Sequence, residues 1–239
     1  MRPFLGLLAV TAAAIAVPAC GEAPTLAARL EALADAGNAE ARYHLGMLYN
    51  NGIGVAQDNG RALALFQAAA AAGDPLAAYK VGCYHAGQFG VVAPDEGQAL
   101  HYKLIAAEAG YSLAQLDVAN LYTGREDYAH ALPWYEVAAR QGEAQALYNL
   151  AVFYKDGLGV ARAPARTYAF FRLAHLHGRG SISPGAQRSL DEMWAGLNTG
   201  ERAEAERIGA TWVIGPSPLT RRAGEGQSRA EVVAGAGSR

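Results

Sequence analysis

Ala41-Arg42-Tyr43-His44-Leu45-Gly46-Met47-Leu48-Tyr49 decides the fold, because the same pattern returns three times. It recurs as Ala77-Ala78-Tyr79-Lys80-Val81-Gly82-Cys83-Tyr84-His85, then as Ala114-Gln115-Leu116-Asp117-Val118-Ala119-Asn120-Leu121-Tyr122. The fourth copy is Ala146-Leu147-Tyr148-Asn149-Leu150-Ala151-Val152-Phe153-Tyr154. The small central residue falls at 46, 82, 119 and 151, so the copies are spaced 36, 37 and 32 residues apart. A fixed period of this length marks stacked supersecondary units, and it takes precedence over any local motif.

A second frame repeats beside the first. Each copy is followed by an apolar-periodic stretch that closes on a glycine: Arg61–Gly73, Gln98–Gly110, His130–Gly142 and Tyr168–Gly178. Two frames recurring together predict one helix–turn–helix per unit. In the first helix Ala41, Leu45 and Leu48 share a face, since positions three and four apart are neighbours on a helix. Gly46, Gly82, Ala119 and Ala151 lie beside that face, where a small residue lets a neighbouring helix come close. Glycine inside a helix costs about 1 kcal/mol relative to alanine, so it needs such a packing reason. The closing glycines suit a left-handed C-terminal cap.

The loops between paired helices are glycine-rich: Asn51-Gly52-Ile53-Gly54-Val55, Gly87-Gln88-Phe89-Gly90-Val91 and Asp156-Gly157-Leu158-Gly159-Val160. Unit three keeps only Thr123-Gly124-Arg125-Glu126-Asp127, which accounts for the short spacing. A phosphate-binding loop is excluded, because no strand precedes these glycines and no Lys-Ser/Thr follows them. Ile53, Phe89 and Leu158 are expected to plug the turns.

Alanine, Leu-Gly, an aromatic, Gly-x-Gly-Val, then an aromatic, Ala-Ala and Gly form a pattern that resembles the Sel-one-like repeat, a relative of the tetratricopeptide solenoids. The resemblance covers residues 38–178 and departs locally: Ala119 and Ala151 replace the glycine, His85 replaces tyrosine, and unit three lacks the loop. It implies an all-α fold, a right-handed α-solenoid of about four helix–turn–helix repeats with helical caps at both ends. Stacked units need such caps because no unit buries its own face. Residues 26–37 read as the N-terminal cap and 184–213 as two capping helices, the second N-capped by Thr199 and held to unit four by Trp212. Residues 215–239, rich in Pro, Gly, Ser, Ala and Arg with little to bury, are expected to be disordered.

The start of the chain reads as an export signal. Arg2 is followed by an apolar run from Phe4 to Val17, shorter than the ~20 residues that span a bilayer. Residues 1–19 are therefore expected to be a signal peptide and 20–25 a short linker. Val17-Pro18-Ala19-Cys20 leaves two outcomes open: cleavage after Ala19 to a soluble protein, or, by resemblance to a bacterial lipobox, lipidation of Cys20. The expectation is an exported, periplasmic protein anchored to the outer membrane through Cys20. Cys83, the second of two cysteines, then has no partner in the chain, although a Cys20–Cys83 bridge stays open if Cys20 keeps its thiol.

The sequence offers little for catalysis. His175 and His177 point to different faces of a helix, and the other four histidines are spread over the first three units with no local ligand spacing. No metal or cofactor is expected. Gly-x-Ser-x-Gly and Ser-x-x-Lys are both absent. The paired cysteines of family relatives linked to β-lactams are missing too. Arginine and lysine number 20 against 22 acidic residues, with a net charge of -2, which excludes the broad basic face of a nucleic-acid binder.

What remains is a surface. In such a solenoid the first helices line the concave wall, and the face running through Glu40, His44, Met47 and Asn51 has Lys80, Asp117, Asn120 and Asn149 as counterparts. His44, Met47, Lys80, Asp117, Asn120 and Asn149 are the expected partner-binding groove, suited to a peptide or protein of the cell envelope. The resemblance implies a non-catalytic scaffold. A soluble periplasmic regulator of a sensor kinase is the alternative, and a cell-wall or β-lactam hydrolase a second one.

Overall fold

Side-chain caps start most of the helices. Asn38, Asp58, Asp74, Asp95 and Asp127 each accept a hydrogen bond from the backbone N–H three residues on, satisfying donors that a helix start leaves open. The computed structural model describes residues 24–179 and 183–236; the signal segment, Cys20 and most of the linker lie outside them. Among the described residues there are twelve helices and no strand.

The N-terminal cap is α1 (Leu26–Asp35). Four helix pairs follow: α2 (Ala39–Asn51) with α3 (Asn59–Ala71), α4 (Pro75–His85) with α5 (Glu96–Glu108), α6 (Ser112–Gly124) with α7 (Tyr128–Arg140), and α8 (Ala144–Asp156) with α9 (Pro164–Arg179). Each helix packs on the one before and the one after it, as an α-solenoid requires. In unit three only Arg125 to Asp127 separate the helices, and Glu126 takes the left-handed conformation (φ 59°) that glycines supply elsewhere.

The small residues of the repeat sit where helices cross closely. A Cβ on Gly46 would lie 2.7 Å from the Phe66 ring, and one on Gly82 would lie 2.8 Å from Lys103 Cγ and 3.1 Å from the Ala99 carbonyl. Ala119 and Ala151 are completely buried at the equivalent positions. Aromatic rings fill the space between units: Phe66 packs between Tyr43 and Tyr84, and Phe153 between Tyr128 and Tyr135. Of the three loop residues expected as plugs, Phe89 lies against Tyr84 and Leu158 packs on the unit-four core. Ile53 differs: it is exposed, although the equivalent turn at Gly157 packs Leu158.

Beyond unit four, α10 (Pro184–Gly196) and α11 (Thr199–Thr211) pack on α9. The N-cap of α11 is Asn198 rather than Thr199, and it forms a reciprocal capping box with Glu201. Trp212 meets Phe170 edge-on at 5.1 Å, and the Arg140 guanidinium lies 4.5 Å from the centre of its ring.

The expectation of disorder over 215–239 is overturned for most of its length. Residues 212–217 form an extended connector, and α12 (Pro218–Ala236) follows, kinked at Gly226 (φ 51°, ψ -122°). The segment travels back along the whole array. Its last turns join Leu30, Ala34, Ala41, Leu45 and Leu48 in one core through Ala230, Val233 and Ala234, so the first and last helices are packed together.

Candidate functional site: the wall of first helices

The expected groove residues fall into two groups. Asp117, Asn120 and Asn149 belong to a polar chain that crosses repeats. Asp117 accepts from Lys103 Nζ at 2.6 Å and from the Tyr79 hydroxyl at 3.3 Å. Lys103 comes from the second helix of unit two and reaches the wall past Gly82, with its own side chain almost wholly buried. Asn120 Oδ1 accepts from Tyr135 Oη at 2.8 Å and from Asn149 Nδ2 at 3.3 Å, and Asn149 in turn accepts from Gln145. Lys80 is half-buried, with no ion-pair partner among the described residues.

Cys83 lies among these groups as a buried free thiol. Burial pushes its pKa up, against the opposing pull of Lys103 and Lys80. That is the setting of an inert, packed cysteine rather than a nucleophile.

His44 and Met47 belong to the second group, and here the wall is covered. His44 is only 5 % exposed rather than open to a partner. Together with Tyr43, Met47, Asn51 and Ile53 it lines a cavity of about 160 Å³ whose other side is Arg222, Ala223, Gly226 and Ala230 of α12. Burial depresses the His44 pKa, and the neighbouring Glu40 only partly offsets this. Burial acts on Glu40 in the opposite sense, raising its pKa, but the Arg229 guanidinium outweighs it and holds the carboxyl below its ordinary range.

Residues that sequence reasoning passed over anchor this cover. Arg229 grips Glu40 with two contacts, of 2.9 and 3.3 Å. Arg222 reaches Asp74 at 2.8 Å, and the Asp74 side chain is 4 % exposed while its other oxygen caps α4. Further along, Ser217 donates to the Gly110 carbonyl at 2.7 Å, and its N–H donates to Gln141 Oε1 at 2.8 Å. Thr220 accepts from Ser112 N and donates to Gln141 Oε1. Glu40 and Asp74 carried one sequence signal, an acid at a helix start. Their partners lie 189 and 148 residues away and carried none.

Among the described residues no three His, Cys, Asp or Glu side chains are grouped to hold a metal. The apolar cavity of about 330 Å³ between unit four and α10 is lined by Tyr154, Pro164, Thr167, Met193 and Leu197 and contains no acid–base pair.

Stacked helix pairs in a fixed repeat define a repeat scaffold of the protein-interaction class. Residues 39–74, 75–111, 112–143 and 144–178 each match the Sel1 repeat, and the chain belongs to the Sel1 repeat family. A protective antigen of uropathogenic Escherichia coli with an SLR fold superposes with a TM-score of 0.63 at 25% identity, over 82% of this chain and 42% of that one. A Sel1 repeat protein from Oxalobacter formigenes superposes with a TM-score of 0.59 at 27% identity, over 81% and 77% of the respective chains. By sequence the chain is 30% identical over 161 residues to chitin synthase regulatory factor 3 of Schizosaccharomyces pombe, covering 64% of this chain and 17% of that protein. It is 41% identical over 71 residues to the alginate biosynthesis protein AlgK of Azotobacter vinelandii, covering 30% of this chain and 15% of AlgK. The chain thus spans less than a fifth of the length of these two relatives.

Proposed function

We propose that this protein is a non-catalytic scaffold of the bacterial cell envelope that binds a protein or peptide partner along the wall of its first helices. The observation that carries this is the row of polar side chains Lys80, Asp117, Asn120 and Asn149 on the first helices. These side chains come from three successive repeats, with Asn120 and Asn149 joined at 3.3 Å. Groups pre-positioned on a rigid solenoid recognise a backbone or polar side chains with little ordering of the receptor. Export, with Cys20 as a lipid anchor, belongs to the same proposal. The relatives named for chitin synthase regulation and alginate biosynthesis support a partner in polysaccharide-synthesis machinery.

The test is in-cell photo-crosslinking from position 149 and, separately, from position 80. One protein should be captured from both positions, and Lys80→Ala/Asn120→Ala/Asn149→Ala should release it. No captured protein, or one indifferent to the triple substitution, would refute the reading. Incorporation of labelled palmitate, lost in Cys20→Ser, tests the anchor.

A further inference from the structure

The segment that covers the wall is bound like a ligand. It meets each repeat in turn near the start of its first helix: Gln141 before α8, Gly110 and Ser112 at α6, Asp74 at α4, and Glu40 at α2. Two of these contacts place an arginine on a carboxylate, and the others place Ser217 and Thr220 on backbone and amide groups. The apolar part is small as far as the Gly226 kink; beyond it Ala230, Val233 and Ala234 are buried against α1 and α2. Leu219 and Ala223 lie against the cluster of Tyr43, Leu76 and Ala77, and the Arg222–Gly226 stretch leaves the 160 Å³ cavity over His44 and Met47 unfilled.

The wall is also shaped for the segment. A Cβ on Gly142 would lie 3.1 Å from Ile214 Cγ2, and one on Gly110 would lie 3.4 Å from the Ser217 Cβ. Both glycines hold a left-handed backbone (φ 99° and 95°) that other residues rarely adopt. The repeat's closing glycine therefore serves here as a floor for a bound chain as well as a helix cap.

We infer that the wall from Gln141 to Glu40 is a receptor for a basic, helix-forming peptide, and that residues 215–229 occupy it in cis as a displaceable stand-in, tethered by the core contacts of Ala230, Val233 and Ala234. The recognition pattern is read from the segment itself: paired Ser/Thr hydroxyls, then an arginine for Asp74, a small apolar face, and a second arginine seven residues later for Glu40. A partner that also fills the cavity over His44 and Met47 gains contacts that the cis segment lacks. This deepens the scaffold reading and rests on it, because it names the partner's chemistry on the same wall.

The experiment uses the full mature chain and a fluorescent peptide of residues 214–236 as the probe. Arg222→Glu/Arg229→Glu removes both ion pairs that hold the segment on the wall and changes no residue of the four repeats. Freeing a site from its internal competitor raises apparent affinity by the reciprocal of the fraction that was open, and typical coupling energies put this at about 5–150-fold. The probe should therefore bind the double variant at least about fivefold more tightly than the wild type. Glu40→Gln/Asp74→Asn added to that variant should abolish the gain, since an asparagine before α4 still caps the helix but carries no charge. A peptide with both arginines changed to glutamate should not bind.

Equal binding to wild type and variant, or binding to neither, overturns the inference. So does concentration-dependent dimerisation of the wild type through exchanged segments, which would make the occupant a second copy. If the double variant fails to fold, hydrogen exchange on the wild type decides: excess unlabelled peptide should speed exchange across residues 218–229, and unchanged rates overturn the proposal. Crosslinking from position 149 separates the two readings. A retained partner with a silent peptide removes only this inference, while a binding peptide with no cellular partner removes the scaffold reading.

Discussion

Gly82→Ala adds one methyl group at the closest crossing of α4 and α5. The new Cβ would stand 2.8 Å from Lys103 Cγ, 3.1 Å from the Ala99 carbonyl oxygen and 3.2 Å from the Lys103 backbone nitrogen. Two of these neighbours are backbone, so no side-chain rotation relieves the contact and the helices must separate. Movement there also shifts Lys103, whose ammonium reaches Asp117 at 2.6 Å only by passing over Gly82. Overpacking a core costs about 1–3 kcal/mol, while alanine's better helix propensity returns up to about 1 kcal/mol. With the full propensity gain the net is a loss of up to about 2 kcal/mol, which for a chain of this size lowers the melting temperature by up to about 8 °C. Gly209→Ala is the control. It too lies in a helix, but its Cβ would meet only Arg172 Nη1, at an ordinary 3.5 Å. The propensity gain stands alone there, and the melting temperature should rise. Thermal melts followed by circular dichroism compare the two. A Gly82→Ala that raises the melting temperature as Gly209→Ala does would falsify the close-crossing account of the repeat's small residue.

The buried ion pair should respond asymmetrically. Asp117→Ala leaves the Lys103 ammonium without its partner and costs about 3–5 kcal/mol. Lys103→Met leaves a carboxylate that is 26% exposed and able to take water, so it should cost clearly less in a urea titration. Acid should loosen the C-terminal segment in two steps of one sign. His44 has a pKa below its ordinary 6.5, so the stability it contributes is present above pH 6.5 and is lost as pH falls through its folded value. Glu40, lowered from 4.5, contributes fully above that pH and is lost below it. Hydrogen exchange across 218–236 should therefore speed up first below pH 6.5 and again below pH 4.5, and flat protection down to pH 4 would contradict the assignment. Iodoacetamide at pH 8 should leave buried Cys83 unmodified in the folded chain and label it in urea.

The repeats were legible because their information is local and periodic. Ala41, Leu45 and Leu48 announce one face within eight residues, and Gly46 and Gly82 announce a close approach before any neighbour is known. Even so, position within the repeat did not determine exposure. Tyr43 and Tyr148 are equivalent, yet Tyr43 is packed against Phe66 while Tyr148 is 45% exposed on Phe171. Ile53 and Leu158 are equivalent loop residues, and only Leu158 is packed into a core. In each pair the difference arises from what lies beside the unit, and a repeat pattern carries no record of its neighbours.

The C-terminal segment shows the same limit in stronger form. Its composition reads as disorder because Gly224, Gly226 and Ser228 weaken helix propensity and only Leu219, Ala223, Ala230, Val233 and Ala234 offer apolar contact. A segment with so little to bury gains order from fixed partners outside itself, here carboxylates and carbonyls already held at the starts of α2, α4 and α6. Asp74 illustrates how that works. Its Oδ1 is committed to Ala77 N whether or not the segment is present, which leaves Oδ2 aimed and nearly desolvated for a guanidinium. A helix cap required by the repeat thereby doubles as half of a binding site. The sequence feature marking such a site, an acid immediately before the first helix of a unit, is indistinguishable from ordinary capping until the arginine that uses it is in place.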